Sequence, residues 1–175
     1  MNIFYLNKDP SQAAKEMCDK HVVKMILESA QLLSTAHRVL DGDVYANKKR
    51  LYKMAHKNHP CSKWVCHSYQ NYKWLYEHMI ALMKEYTHRY GKNHATERLI
   101  EPLGNFPKAF KNSFKTFTDP PQCMPDYCKQ KDTVLAYQNY YITEKSGFAK
   151  WNHSEIPKWW EKEKIDGDLL YAKET

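Results

Sequence analysis

The segment His21-Val22-Val23-Lys24-Met25-Ile26-Leu27-Glu28-Ser29-Ala30-Gln31-Leu32-Leu33-Ser34-Thr35 decides how the chain is read. At about 100° per residue, His21, Lys24, Glu28, Gln31 and Thr35 fall within an arc of roughly 80° on one helix. The rest of the circumference is mostly Val, Met, Ile, Leu and Ala. A helix that is apolar nearly all round is buried, and burying a Lys and a Glu is costly unless they are paired or used. The polar stripe is therefore expected to line a cleft, and a cleft with an acid, a base and an amine is a candidate active site. Two plainer readings stand beside it. Lys24 and Glu28, four residues apart, suit an intrahelical ion pair, and the stripe suits the solvated face of a surface helix.

Outward from this segment the chain reads as helical. Asp9 followed by Pro10 is a helix start, which predicts a helix from about Pro10 to Leu40, ended by Asp41-Gly42-Asp43. A polar, Lys-rich connection to Asn58 follows. His59-Pro60 opens a second long helix to about Tyr90, with Trp64, Tyr72, Leu75, Met79, Leu82 and Tyr86 at three- and four-residue steps and Gly91 as its stop. A short helix is expected from Ala95 to Ile100. Phe106, Phe110, Phe114 and Phe117 predict another, with Lys108, Lys111 and Lys115 between them. Asp119-Pro120-Pro121 to Pro125 must be irregular, and a last helix is expected from Asp132 to Glu144. Met1 to Leu6 is short, apolar and extended in character. The fold class is mainly α: a compact single-domain helical bundle over residues 1–175, with two long helices, a short extended N-terminal segment and an aromatic, basic tail from 150 to 175.

Composition bounds the function. An aromatic content of 14% and 42% apolar residues exclude a disordered chain, and only 5 Gly with little strand alternation favour helices. The 27 Lys and Arg against 20 Asp and Glu give a formal charge of +7, which favours polyanionic partners. No signal peptide is recognisable and no 18-residue apolar run occurs, so a soluble protein without membrane association is expected, in the cytoplasm of a bacterium or a virus-infected cell. Cys61 and Cys66 are five apart, as are Cys123 and Cys128, and neither pair has zinc-site spacing. Free thiols in a reducing compartment are the expectation, with no cofactor and no metal.

Asp19-Lys20-His21, followed seven residues after the His by Glu28, resembles the pyrimidine-dimer DNA glycosylase family, of the phage endonuclease V type with its bacterial relatives. The phage enzyme has Asp-Gln-His and then a catalytic Glu at the same interval. The bacterial relatives are similar in the step from Lys24 to Glu28, in Asn58-His59-Pro60 with Trp64, and in Glu85 to Gly91. The resemblance covers roughly residues 1 to 92. It implies a compact helical domain that acts on double-stranded DNA carrying a damaged or modified base. An N-terminal amine attacks the anomeric carbon of the sugar, the imine so formed permits strand cleavage by β-elimination, and the helix-borne Glu assists.

An imine-forming amine must be unprotonated, and an α-amino group, near 7.7 to 8, meets that need where a Lys near 10.4 requires desolvation. The resemblance therefore implies catalytic roles for Met1, Glu28, His21 and Lys24, with Lys24 the alternative nucleophile. The sequence departs from the family pattern in two places. Asn2 is not small, so Met1 is expected to be retained, and Leu27 and Gln31 stand where the phage enzyme has substrate-gripping Arg residues. Gln31, His59, Lys108, Lys111, Lys115, Lys158, Trp159 and Trp160 are the expected nucleic-acid contacts, made by phosphate pairing and base stacking. A monomer is expected. Two other functions fit the residues: a non-catalytic nucleic-acid-binding protein of the same fold, and a metal-dependent hydrolase using His21, His59, His67 and Glu28.

Overall fold

The computed structural model describes residues 2–112 and 114–161. Asp9 caps the first helix, α1 (Pro10–Glu16), by accepting from the Gln12 backbone N–H. The expected single helix to Leu40 is two: the chain straightens at Met17 and Cys18 and restarts as α2 (Asp19–Asp41). Arg89 explains the break. Its fully buried guanidinium takes the carbonyls of Lys15 and Met17, both at 2.9 Å, and the Asp19 carboxylate at 3.0 Å. An elbow supplies all three groups at once, where a continuous helix would spend the carbonyls on itself.

Gly42, at φ 78°, ends α2 where expected, and the polar connection contains a short α3 (Asp43–Lys48). The second long helix is also divided, into α4 (Pro60–His67) and α5 (Tyr69–Tyr90), because extended Ser68 caps Asn71 with its hydroxyl. Gly91 in the left-handed region stops α5. A 3₁₀ turn (Ala95–Leu99) leads into α6 (Ile100–Gly104), and Asp132 caps α7 (Thr133–Lys145).

The predicted Phe106–Phe117 helix is absent. A 3₁₀ turn over Lys108–Asn112 replaces it, and residues 114–123 carry no regular structure. Asp41 takes the Lys108 and Ala109 N–H groups at 2.6 and 3.0 Å, which opens a turn but sustains no helix across the Asn-, Ser- and Thr-rich sequence that follows. Phe110 is buried, whereas Phe114 is 99% exposed.

The protein is all-helical among its described residues, with α2 and α5 as the central pair, α1 packed on α5, and α4 against both. The core is aromatic: Tyr5, Tyr72, Tyr137 and Tyr141 are among its largest fully buried side chains. The N-terminal segment is part of that core, with Ile3, Phe4, Tyr5 and Leu6 all buried. No described helix is long and apolar enough to cross a membrane.

Candidate active site

The stripe on α2 changes character along its length. At its N-terminal end His21 is buried, stacked on Phe4 at 4.3 Å and edge-on to Tyr141 and Phe148. Its Nδ1 shares a hydrogen bond with the Tyr141 hydroxyl, whose pKa burial pushes well above the ordinary range. Burial, then the positive charges of Lys145 and Lys24, push the His21 pKa down to about 4. His21 is therefore neutral at pH 7 and serves as a wall that holds Phe4.

One turn further, Lys24 pairs with Glu28 at 3.3 Å, the Lys side chain 69% exposed and the Glu 16%. The ion pair read from spacing is present, but it is lopsided, a solvated ammonium over a carboxylate sunk in the surface. Gln31 is half-buried, and Thr35 is buried and bonded to both backbone groups of Ala55. Val23 and Leu27, expected in the apolar interior, are each 38% exposed. Around Lys24, Val23 and Leu27 the helix presents an open face, while both ends of the stripe, His21 and Thr35, are buried. A concavity of about 740 Å³ lies elsewhere, between Glu16, Glu85, His88 and Trp159.

The chain's beginning is held beside this face. The Asn2 side chain donates to the Cys123 carbonyl at 2.8 Å, and its oxygen accepts from the Ile3 N–H at 2.8 Å. Phe4 has φ 54°, rare for a bulky residue, and turns the chain so that its ring lies between His21 and Tyr140. Met1 itself lies outside the described residues.

His59 caps α4, its Nδ1 accepting from the Cys61 backbone N–H at 3.1 Å. Burial lowers its pKa, His56 lowers it further, and Glu28 raises it. Glu28 also raises the pKa of Cys61, after its hydrogen bond to Cys123 and its burial. The Cys61 and Cys123 sulfurs are 3.7 Å apart, and their shared proton holds Cys123 down and Cys61 up. No spacing rule could have found this pair, since 62 residues separate its members. His59, Cys61 and Cys123 are also the group of metal-ligating side chains that the described residues bring together. His67 is exposed at the end of α4.

The remaining expected contact residues are dispersed. Lys108, Lys111 and Lys115 are exposed, the first at the C-terminal end of α2, which puts that end about 20 Å along the helix from Glu28. Lys158 is exposed, but Trp160 is buried and Trp159 donates to the Glu16 carboxylate at 3.0 Å. Together with Trp151, which donates to the Glu16 carbonyl at 3.1 Å, these Trp residues lock the chain onto the α1–α2 elbow. The tail beyond 161 lies outside the described residues.

Two segments that carry the family resemblance meet in space. Asp19 and Glu85 flank Arg89, so Asp19-Lys20-His21 and Glu85-to-Gly91 are the two sides of one buried ion network. The sequence profile described as pyrimidine dimer DNA glycosylase matches residues 1–98. The chain belongs to this family of DNA-repair glycosylases, and membership implies glycosylase-type activity on damaged DNA. No curated protein and no solved structure matches the chain.

Proposed function

We propose that the protein is a DNA glycosylase with abasic-site lyase activity, acting on a damaged or modified base of duplex DNA through an imine with its own N-terminal amine. One observation carries the reading: Phe4 stacks on His21 at 4.3 Å and Asn2 bonds the Cys123 carbonyl at 2.8 Å, so the first described residues are held against the helix that carries Lys24 and Glu28. The anchored Asn2 and the buried segment behind it fix the chain up to its first described residue, the preorganisation an N-terminal nucleophile needs.

The chemistry follows from these groups. The amine attacks the anomeric carbon, and the base leaves with the bonding electrons. Transfer of a proton to the ring oxygen breaks its bond to the anomeric carbon and opens the sugar, leaving a protonated imine that acidifies the adjacent sugar carbon. Removal of a proton there expels the 3′ phosphate and cuts the strand. Glu28 stabilises the positive charge on the sugar and relays the protons. Lys24 is the lesser nucleophile, because it has none of the desolvation that an imine-forming lysine needs. With Lys20 and Lys145, whose ammonium groups lie over Phe148 and Tyr140, it supplies positive charge around the His21 end for phosphates.

A duplex bearing one abasic site, incubated with and without borohydride, tests the proposal. The expected result is a covalent adduct that is lost when one residue is added before Met1 and only weakened by Lys24→Ala. Glu28→Gln should bind the duplex but cleave it on the order of a hundredfold more slowly. Trapping that survives the extension and vanishes with Lys24→Ala would make Lys24 the nucleophile. Failure of the unmodified protein to trap would leave a nucleic-acid-binding protein of this fold.

A further inference from the structure

Cys123 belongs to the Pro-rich segment after Phe117, and Cys61 to the first turn of α4. Both are held in place. Cys61 is fully buried, while the Cys123 carbonyl accepts from Asn2 and its N–H donates to the Pro121 carbonyl at 2.9 Å. The Pro121 carbonyl is itself fixed by the Tyr137 hydroxyl at 2.6 Å. His59 stands two residues before Cys61, and one ligand atom from each of the three residues lies within 4.8 Å of the others.

The spacing of the sulfurs is informative. With metal–sulfur bonds of about 2.3 Å, two thiolates of a tetrahedral site stand about 3.8 Å apart. The observed separation is 3.7 Å, far from the roughly 2.0 Å of a disulfide. Two sulfurs and one imidazole form a soft donor set that suits zinc and excludes magnesium or calcium. Cys61 closes the site from within, and half-buried His59 and Cys123 leave it open on the solvent side.

We infer that His59, Cys61 and Cys123 form a binding site for a thiophilic divalent cation of the zinc type, with solvent in the fourth position. His59 ligates through Nδ1 and keeps its proton on Nε2, so the metal takes over the lone pair that now accepts the Cys61 N–H. The ion would join α4 to the 119–125 segment and, through Asn2, to the N-terminal segment. The inference is independent of the imine chemistry, and its readouts involve no DNA.

The test uses the reduced full-length protein, titrated with cobalt(II) and separately loaded with zinc(II) and desalted. The expected results are thiolate-to-cobalt charge transfer in the near ultraviolet, about one zinc retained per chain, and a raised thermal midpoint. Cys123→Ser, at a half-buried position, should lose the charge-transfer band and the retained zinc while keeping its helical circular dichroism. Cys66→Ser should keep both. His59→Asn retains a capping side chain and removes the imidazole; it should bind cobalt more weakly with thiolate absorption still present. Absence of the band in the reduced wild-type protein, or its persistence in Cys123→Ser, would overturn the site. Unchanged affinity in His59→Asn would overturn the assignment of His59.

Discussion

Three buried histidines make the fold acid-sensitive in a definite window. His21, His37 and His78 are 7%, 1% and 0% exposed, and burial lowers the pKa of each from 6.5 to about 4. For His37 neither ring nitrogen has a partner, and for His78 only Nδ1 is bonded, donating to the Pro10 carbonyl at 2.9 Å. The folded protein therefore binds fewer protons than the unfolded chain between pH 6.5 and 4, and stability rises with pH through that window. It is fully present above pH 6.5 and is lost as the pH falls. Moving from pH 7 to 5 costs about 2 kcal/mol per histidine and about 6 kcal/mol for the three, on 1.36 kcal/mol per pKa unit. A loss of that size is a large part of a domain's usual 5–15 kcal/mol or so. Urea unfolding at the two pH values measures it: at a slope of about 2 kcal/mol per molar, the midpoint should fall by about 3 M. His37→Phe keeps an aromatic ring against Tyr45 and Tyr72, forfeits no hydrogen bond, and should reduce the pH-dependent loss by about a third. Midpoints that agree within about 0.5 M at pH 7 and 5 would refute the reasoning.

Replacing Arg89 by Met should strand Asp19 and Glu85 at the elbow at a cost of about 3–5 kcal/mol, lowering the calorimetric midpoint by roughly 6–20 °C; a shift below about 2 °C would mean that the network is dispensable. If Lys108, Lys111 and Lys115 meet phosphates from the far end of α2, replacing all three by Ala should flatten the salt dependence of DNA affinity by up to about three units. An unchanged slope, read by fluorescence anisotropy across a salt series, would leave them as solvated surface.

Local chemistry sets the helix ends that the sequence predicted well. Asp9, Gly42, Gly91 and Asp132 act on their own neighbouring backbone groups, so each end is written within a few residues. The resemblance that placed the chain in its family was legible for a related reason, since it rests on short segments of fixed spacing. The Lys24–Glu28 pair was legible too, because one helix sets the distance between its members.

What sequence left open was decided by groups far apart in the chain. The break at Met17 interrupts an apolar pattern that runs on without a gap, because Arg89, 72 positions later, claims backbone carbonyls that a continuous helix would keep. The Phe106–Phe117 periodicity was outweighed by Asp41, a residue 67 positions before Lys108, which fixes a turn there. His21 lies on the polar stripe that spacing predicts, and it is Phe4, Tyr141 and Phe148 closing around it that bury it and push its pKa down. Cys61 and Cys123 lack metal-site spacing in the sequence, yet packing brings their sulfurs to within 3.7 Å beside His59. Helix, cap and family are properties of neighbouring residues, whereas the protonation of a histidine or the meeting of two thiols depends on what the folded chain places around them.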